Sequence, residues 1–297
     1  MIKIVIPFIQ AALITASCSN PDHKKMTSSA DHTTKPDSTS GYAPVNGLNM
    51  YFEIYGTGDP LVLIHGGGST IQTTFGRVIP ALAKTHKVIA VEMQAHGRTA
   101  DIDRPLSFTQ DADDIAALLR YLKIDKAAVF GFSNGASTAL QLAIRHPELT
   151  GRIIIASTFY NRGGAPSWFW DMMRKPGFES MPQVFKDEFL KINPDTNALH
   201  RMYDRDVARM QSFPDISDQQ MKAITSPALI IAGDKDVVTP EHAVEMHRLL
   251  AGSRLAIIPG GHGDYIGEIT TAQDTVLIAA TVSMIDQFLH EPLPEKK

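Results

Sequence analysis

The chain has little of several residue types on which common functions depend. It contains a single cysteine, Cys18, so a disulfide within the chain and a site of several thiolate metal ligands are both excluded. Its 28 Lys and Arg residues are outnumbered by 32 Asp and Glu residues, and a net charge of -4 argues against a nucleic-acid partner, which needs a basic face. The sequence has no P-loop, no G-x-G-x-x-G after a first strand and no H-E-x-x-H zinc motif. We therefore expect no nucleotide, cofactor or metal.

The amino-terminal segment has the composition of an export signal. A basic residue precedes an apolar run that is too short to span a bilayer. Two small residues then stand directly before Cys18, as in a bacterial lipobox, although Thr15 occupies the position where leucine is usual. We expect residues 1–18 to be signal peptide and lipobox, with Cys18 lipidated, and the polar residues 19–41 to be a flexible tether. The protein would then be exported to the bacterial cell envelope and lipid-anchored there, facing the periplasm or the cell surface. The alternative is a cleaved signal peptide with an incidental cysteine.

Beyond the tether, strand and helix patterns alternate along the chain. An Asn46-Gly47 turn before an alternating segment predicts a β-hairpin. Further strands are predicted near residues 60–65, 86–92, 126–132, 152–157, 228–233 and 253–259, and helices near residues 71–84, 107–123, 134–146, 239–250 and 272–290. Near-continuous apolar strands separated by helices indicate an α/β fold, with a mostly parallel, doubly wound sheet. In such sheets the functional residues collect at the carboxyl ends of the strands.

A serine stands in a tight turn between a predicted strand and a predicted helix. Ser133 lies between Gly131 and Gly135 in a G-x-S-x-G pattern. The glycines let strand and helix pass closely, and the strained turn pushes the hydroxyl outward at the start of the helix. Ser133 is therefore a candidate nucleophile, and it needs a base that is itself oriented by an acid.

Two later strands each end in a loop that carries a side chain of the required kind. Asp236 follows the strand near residues 228–233, with Asp234 as a rival acid, and His262 follows the strand near 253–259 in a glycine-flanked loop. The order serine, acid, histidine, each just past a parallel strand, is the order used by one large fold class.

The fourth element is a glycine loop after the strand near residues 60–65. His65 is followed there by three glycines, whose backbone N–H groups can approach a substrate because no Cβ blocks them. We expect the N–H groups of Gly67 and Asn134 to form an oxyanion hole. The chain thus has a glycine loop, a G-x-S-x-G turn at Ser133, here called the elbow, and two loops that carry Asp236 and His262. In these features it resembles the α/β-hydrolase superfamily from about residue 47 to residue 290.

The resemblance implies an α/β-hydrolase core over residues 42–158 and 227–292. It also implies that Asp236 rather than Asp234 is the triad acid, because Asp236 holds the second carboxylate position of the G-D-x-D-x-x-x-P pattern. A turn of the D-x-x-G-H-G-x-S kind is altered, since Glu92 and Ala95 replace its first Asp and Gly. His65 and the histidine of this turn, His96, are expected to fix their loops rather than to act as bases.

Residues 159–226 have a helical pattern without a convincing strand, which indicates an inserted helical cap. We expect Trp168 and Trp170 of the cap to form a substrate pocket together with Gly68 and Phe132. The alternative is that the two tryptophans pack the cap onto the core. Four cap arginines are available, although none stands out as a ligand anchor: Arg162, Arg174, Arg201 and Arg205.

Together these features predict a serine hydrolase. It would cleave a carboxylic ester, thioester or lactone of a small acyl substrate through an acyl-enzyme on Ser133, with His262 as base and Asp236 as orienting acid. A carbon–carbon bond hydrolase or a cofactor-free perhydrolase would use the same triad. A non-catalytic binding protein of the same fold is a third possibility, but such proteins usually lose a triad member. Neither the substrate nor the oligomeric state follows from the sequence.

Overall fold

A computed structural model gives the structure of the protein and describes residues 38–174, 177–272 and 274–292. The strands within these residues are Ser38–Val45 (β1), Leu48–Tyr55 (β2), Asp59–Ile64 (β3), His86–Val91 (β4), Ala127–Phe132 (β5), Thr150–Ala156 (β6), Ala228–Gly233 (β7) and Arg254–Ile258 (β8). They form one sheet in the order β1-β2-β4-β3-β5-β6-β7-β8. The pairs β1–β2 and β2–β4 are antiparallel and all others are parallel. The predicted α/β-hydrolase arrangement of a mostly parallel sheet is confirmed.

Helices cover both faces of this sheet. The α-helices of the described residues are Ile71–Phe75 (α1), Ile79–Leu82 (α2), Phe108–Tyr121 (α3), Asn134–Arg145 (α4), Ser167–Arg174 (α5), Gln183–Ile192 (α6), Thr196–Gln211 (α7), Asp218–Lys222 (α8), Pro240–Leu249 (α9) and Thr275–His290 (α10). Apolar residues of α3, α4 and α9 bury one face, and those of α1, α2 and α10 bury the other. Each fully buried Leu, Ile or Phe in these layers contributes about 1.5–3 kcal/mol.

The helix expected near residues 71–84 is in fact two short helices. Gly76 ends α1, and α2 begins at Ile79 with a proline in its first turn. Pro80 has no N–H to donate to the carbonyl four residues earlier, so a continuous helix through this segment is interrupted. The apolar spacing alone predicted one continuous helix, and that prediction did not take the proline into account.

The hairpin prediction is confirmed, with one change of boundary. Asn46 and Gly47 have φ angles of 48° and 82°, as a type I′ turn requires. The strand before the turn starts at Ser38, which pairs with Tyr55, so residues 38–41 belong to the sheet and not to a tether. Their polar side chains are mostly exposed, because backbone pairing along an edge strand does not need apolar side chains.

The helices α5 to α8 lie between β6 and β7, where the cap was expected. Trp170 packs edge-on against Phe159 at 5.3 Å between ring centroids, and Phe159 packs against Phe213 at 5.0 Å. Each such aromatic pair contributes about 0.5–1.5 kcal/mol beyond the area it buries. None of the helices in the described part of the chain is both long and apolar enough to cross a membrane. Cys18, the signal segment and most of the expected tether lie outside the described residues.

Candidate active site

Ser133 sits in a strained turn at the carboxyl end of β5. Its φ of 53° and ψ of -119° lie outside the regions that most residues adopt, and its side chain makes no capping bond to α4. A Cβ on Gly131 would lie 2.2 Å from the carbonyl oxygen of Gly135, and a Cβ on Gly135 would lie 2.0 Å from that of Ile64. Both positions therefore require glycine, and the elbow presents the Ser133 hydroxyl at the sheet edge.

His262 and Asp236 meet at the same edge. Nδ1 of His262 lies 2.7 Å from Oδ1 of Asp236, whose side chain is completely buried while that of His262 is 34% exposed. Because a carboxylate only accepts hydrogen bonds, Nδ1 carries the proton and Nε2 is left as the basic nitrogen. Burial by itself would raise the pKa of Asp236, but the hydrogen bond from His262 holds that pKa below its ordinary value.

Asp234 has a different partner. Its Oδ1 accepts a hydrogen bond from the backbone N–H of Gly260 at 2.8 Å, which ties the loop after β7 to the loop after β8. Asp234 is exposed to solvent. Of the two acids, Asp236 is therefore the one in contact with His262.

The other oxygen of Asp236 is bonded to Ser157, which is in turn bonded to Tyr265; the sequence analysis singled out neither residue. Oδ2 of Asp236 accepts a hydrogen bond from the hydroxyl of Ser157, and the Ser157 oxygen lies 2.5 Å from the Tyr265 phenol oxygen. Because Ser157 donates to Asp236, Tyr265 donates to Ser157. Burial, and then the charge of Asp236, raise the pKa of Tyr265 well above its ordinary value, so the phenol keeps its proton. The sequence signal for Ser157 was its position directly after β6.

The glycine loop and the elbow offer two free donors. Among the described residues, the N–H groups of Gly67 and Asn134 have no hydrogen-bond acceptor, whereas the N–H of Gly68 donates to Asp206 at 2.6 Å. A Cβ on Gly67 would lie 2.4 Å from Nδ2 of Asn134, so the loop lies directly against the elbow. Two unpaired backbone donors beside a nucleophile can serve an oxyanion, which needs N–H groups directed at the oxygen where negative charge develops.

His65 is neutral and holds the glycine loop in place. Its Nδ1 donates to the Gly66 carbonyl at 2.7 Å, and its Nε2 accepts from the Met93 N–H at 3.1 Å. Complete burial, and then the nearby charge of His96, lower the pKa of His65 to about 3. The ring therefore links the glycine loop to the turn after β4.

His96 contacts the cap from that turn. Its Nδ1 lies 2.8 Å from the Gln94 carbonyl and its Nε2 lies 2.9 Å from Oδ2 of Asp206, so both ring nitrogens face acceptors. Burial by itself would lower the pKa of His96, but the Asp206 carboxylate raises it. The ring is thus an imidazolium in a buried ion pair.

The altered turn after β4 keeps its local hydrogen bonds. The Glu92 carboxylate accepts from the backbone N–H of Arg98 at 2.6 Å and from Nη1 of Arg98 at 2.9 Å. Ala95 adopts a φ of 68°, a conformation in which glycine is usual. The Glu92 side chain therefore reaches from the first residue of the turn to Arg98 near its end.

A cavity of about 320 Å³ opens onto Ser133, Asn134, His262 and the two glycines 67 and 68. The core also contributes Ser137, Ser157 and Thr158 to its lining. The cap contributes large apolar residues, among them Phe169, Met172, Met173, Phe185, Met210 and Phe213. The site is therefore a mainly apolar pocket that also carries several polar groups, as is typical of small-molecule sites.

Three of the four residues expected in the pocket do not line it. Trp168 is 55% exposed on the outer side of α5, and Trp170 is buried in the aromatic packing, with its Nε1 donating to the Arg162 carbonyl. Phe132 is buried under the His262 ring, with 4.8 Å between the ring centroids. Gly68 does line the cavity. The helical phase of α5 explains the difference, because Phe169, Met172 and Met173 face the cavity instead.

None of the four cap arginines lines the cavity. Their partners are the Trp170 ring for Arg162, Asp171 for Arg174, Asp195 for Arg201 and Asp101 for Arg205. The charged cap residue that does line the cavity is Asp206, which the sequence analysis missed. No local motif marks it, since its partners Gly68 and His96 are more than a hundred residues away along the chain.

Comparisons with known proteins identify the family of the chain. The model of the Alpha/beta hydrolase family matches residues 61–268. The chain is similar to the human serine hydrolase BPHL, with 29% identity over 244 residues that cover 75% of this chain and 79% of the relative. It is also similar to the pimeloyl-[acyl-carrier protein] methyl ester esterase of Neisseria meningitidis serogroup B, with 30% identity over 220 residues that cover 66% of this chain and 82% of the esterase.

A solved structure shares the fold at lower sequence identity. The 2-hydroxy-6-oxo-6-phenylhexa-2,4-dienoate hydrolase from Rhodococcus sp. strain RHA1 superposes with a TM-score of 0.69 at 17% identity, over 86% of this chain and 100% of that one. The family match spans the glycine loop, the elbow, the cap and both later loops. The chain belongs to the alpha/beta hydrolase family.

Proposed function

We propose that the protein is a serine hydrolase that cleaves a carboxylic ester, thioester or lactone through an acyl-enzyme on Ser133. The observation that carries the proposal is the 2.7 Å contact between Nδ1 of His262 and Oδ1 of Asp236, since His262 and Ser133 line the same cavity. A histidine held in this tautomer presents Nε2 as a base toward the cavity. The esterase relative in Neisseria supports the ester class.

The chemistry follows from the positions of these groups. The Ser133 oxygen attacks the substrate carbonyl carbon while its proton passes to Nε2 of His262, and the negative oxygen that forms is stabilised by the N–H groups of Gly67 and Asn134. His262 then returns the proton to the leaving oxygen or sulfur as the acyl-enzyme forms. A water molecule, deprotonated by His262, attacks the acyl-enzyme and releases the acid and Ser133.

The cavity lining favours an uncharged acyl group. Its cap wall is built from phenylalanine and methionine side chains, and none of the described residues that line it is Lys or Arg. Its ionised acid is Asp206, because burial alone would raise the pKa of that carboxyl while the charges of His96 and Arg209 hold it well below its usual range. A dienoate, such as the compound named for the Rhodococcus hydrolase, is an anion and would meet no cation here. This observation favours ester, thioester or lactone cleavage over cleavage of a carbon–carbon bond in such an acid.

A substrate panel tests this proposal. The purified protein is given p-nitrophenyl esters of graded acyl length, neutral lactones, and a matched pair of substrates that differ only in a terminal carboxylate. We expect turnover of the neutral esters and a lower kcat/KM for the carboxylate of the pair. An absence of ester and lactone turnover together with cleavage of a dienoate would contradict the proposal.

We further propose that the mature chain is exported and lipid-anchored through Cys18. The support is the apolar segment, the two small residues before Cys18 and the polar stretch behind it. Cys18→Ser should move the protein from the membrane fraction to the soluble fraction, and metabolic labelling with an alkyne fatty acid should mark the wild type only. An exported wild type that is already soluble would contradict the anchor.

A further inference from the structure

Among the described residues, the cap side chain that is hydrogen-bonded to the glycine loop is a carboxylate. Asp206 lies on α7, and its Oδ2 accepts a hydrogen bond from the backbone N–H of Gly68 at 2.6 Å and another from Nε2 of His96 at 2.9 Å. Asp206 itself is only 8% exposed. One oxygen of the cap thus holds both the glycine loop and the turn after β4.

This contact determines which N–H of the loop faces the substrate. Gly68 has a φ of 66°, and its N–H is turned toward Asp206 rather than toward Ser133. A Cβ on Gly67 would lie 3.2 Å from Oδ2 of Asp206, so the carboxylate also lies against the preceding residue. Because the N–H of Gly68 donates to the cap, the loop N–H that stays free is that of Gly67.

Asp206 is held in turn by a charged partner on its own helix. Arg209 donates to Oδ1 of Asp206 through Nη2 and, through Nη1, to Oδ2 of Asp111 on α3 at 2.7 Å. The side chains of Arg209 and Asp111 are 4% and 2% exposed. Both acids therefore belong to one buried ion cluster, but only Asp206 contacts the glycine loop.

We propose that Asp206 is a positioning residue for the oxyanion hole, so that docking of the cap fixes the Gly67–Gly68 peptide and sets the reactivity of Ser133. The inference rests on the proposed function, because it assigns the free N–H of Gly67 to the oxyanion. A misplacement of about 1 Å in such a donor can cost about 100-fold in rate. A purely structural role in cap packing would change stability without this loss.

Asp111 provides the matched control. Asp206→Ala and Asp111→Ala each leave Arg209 without one of its two carboxylates, and each should lower stability, since breaking a buried ion pair is strongly destabilising. Only Asp206→Ala removes the acceptor of the Gly68 N–H. Asp206→Asn separates the two roles again, because its amide oxygen can still accept from Gly68 although the charge is gone.

The experiment measures the second-order rate at which a fluorophosphonate labels Ser133, together with kcat and KM for p-nitrophenyl acetate. We expect Asp206→Ala to lower the labelling rate and kcat by about 100-fold with little change in KM, because an oxyanion donor acts in the transition state. Asp111→Ala and Asp206→Asn should label at close to the wild-type rate. Equal labelling of Asp206→Ala and Asp111→Ala would overturn the inference alone, whereas a wild type that is not labelled at Ser133 would overturn the proposed function and this inference together.

If Asp206→Ala does not fold, amide hydrogen exchange in the wild type decides. The Gly68 N–H should be protected both before and after phosphonylation of Ser133, because it is bonded to the cap throughout. The Gly67 N–H should become protected only after phosphonylation. Protection of the Gly68 N–H that appears only on phosphonylation would assign the oxyanion to Gly68 and overturn the inference.

Discussion

The hydroxyl of Ser157 donates a hydrogen bond to Oδ2 of Asp236, the carboxylate oxygen that His262 does not use. Ser157 has a φ of 54° and receives a hydrogen bond from the Tyr265 phenol, so its hydroxyl is held in one orientation. A hydrogen bond to a charged group contributes about 1.5–3 kcal/mol. Ser157, itself held by Tyr265, therefore fixes the carboxylate of Asp236, the acid of the proposed triad.

Ser157→Ala should lower kcat by about tenfold, which corresponds to about 1.4 kcal/mol of transition-state stabilisation. The reason is that the buried carboxylate of Asp236 loses the hydrogen bond from Ser157. It keeps those from His262 and from the Val237 N–H. Steady-state kinetics on an acetate ester measure the change. Ser226→Ala serves as the control, because it removes a buried hydroxyl that donates to the Thr150 carbonyl, away from Asp236. Equal kcat values in the two variants would show that Ser157 has no part in the triad.

The two loop acids should differ sharply in their effect on turnover. Asp236→Asn should lower kcat by on the order of 10⁴, as in serine triads generally, because an amide favours the wrong tautomer of His262. Asp234→Asn should lower it far less, since Asp234 only ties two loops together. The pair is compared by kcat at saturating ester. If Asp234→Asn were the more damaging change, the acid would have to be reassigned.

The buried ring of His65 should make stability depend on pH. Its pKa in the folded protein is about 3, below the ordinary value of 6.5, so the unfolded chain takes up the proton first as the pH falls. The contribution is complete above pH 6.5 and is lost as the pH falls toward 3. Between pH 6.5 and about pH 5 the free energy of unfolding should fall by about 2 kcal/mol through this residue.

His65→Gln should remove that part of the pH dependence. Glutamine can donate to the Gly66 carbonyl and accept from the Met93 N–H as His65 does, but it does not titrate. Urea unfolding at the two pH values in both proteins gives the difference. A slope that is unchanged in His65→Gln would mean that folding does not lower the pKa of His65.

The preferred acyl chain length should depend on Met172 of α5 and not on Trp168, one helical turn earlier. Met172 is 47% exposed but lines the cavity, whereas Trp168, which is 55% exposed, does not line it. Met172→Ala should shift the preferred acyl chain toward longer esters, at about 0.8 kcal/mol for each methylene that fills the vacated space. Trp168→Ala should leave the preference unchanged. The kcat/KM values of graded p-nitrophenyl esters decide, and a shift caused by Trp168→Ala alone would reverse the assignment.

The parts of the molecule that follow from local sequence could be predicted. Glycines at positions 131 and 135 are required by contacts of the strand–turn–helix, and Asp236 and His262 follow apolar strands that any parallel sheet brings to one edge. Parallel pairing thus converts a linear order of loops into a spatial cluster.

The parts of the molecule that depend on the orientation of side chains could not be predicted from the sequence. Trp168 and Met172 lie on the same short helix, and only its rotation relative to the core decides which of them faces the cavity. Asp206 has no sequence signal because its function comes from contacts to Gly68 and His96, which the fold brings together. Ser157 was visible only as a polar residue after a strand, and its role depends on a hydroxyl from Tyr265.

The central claim is that Ser133 is the nucleophile activated by His262. Intact-protein mass spectrometry after treatment with a fluorophosphonate, followed by peptide mapping, tests this claim most directly. We predict a single adduct on Ser133 in the wild type, no adduct in Ser133→Ala, and strongly slowed labelling in His262→Ala. An adduct that persists in Ser133→Ala, or a wild type that remains unmodified, would contradict the account.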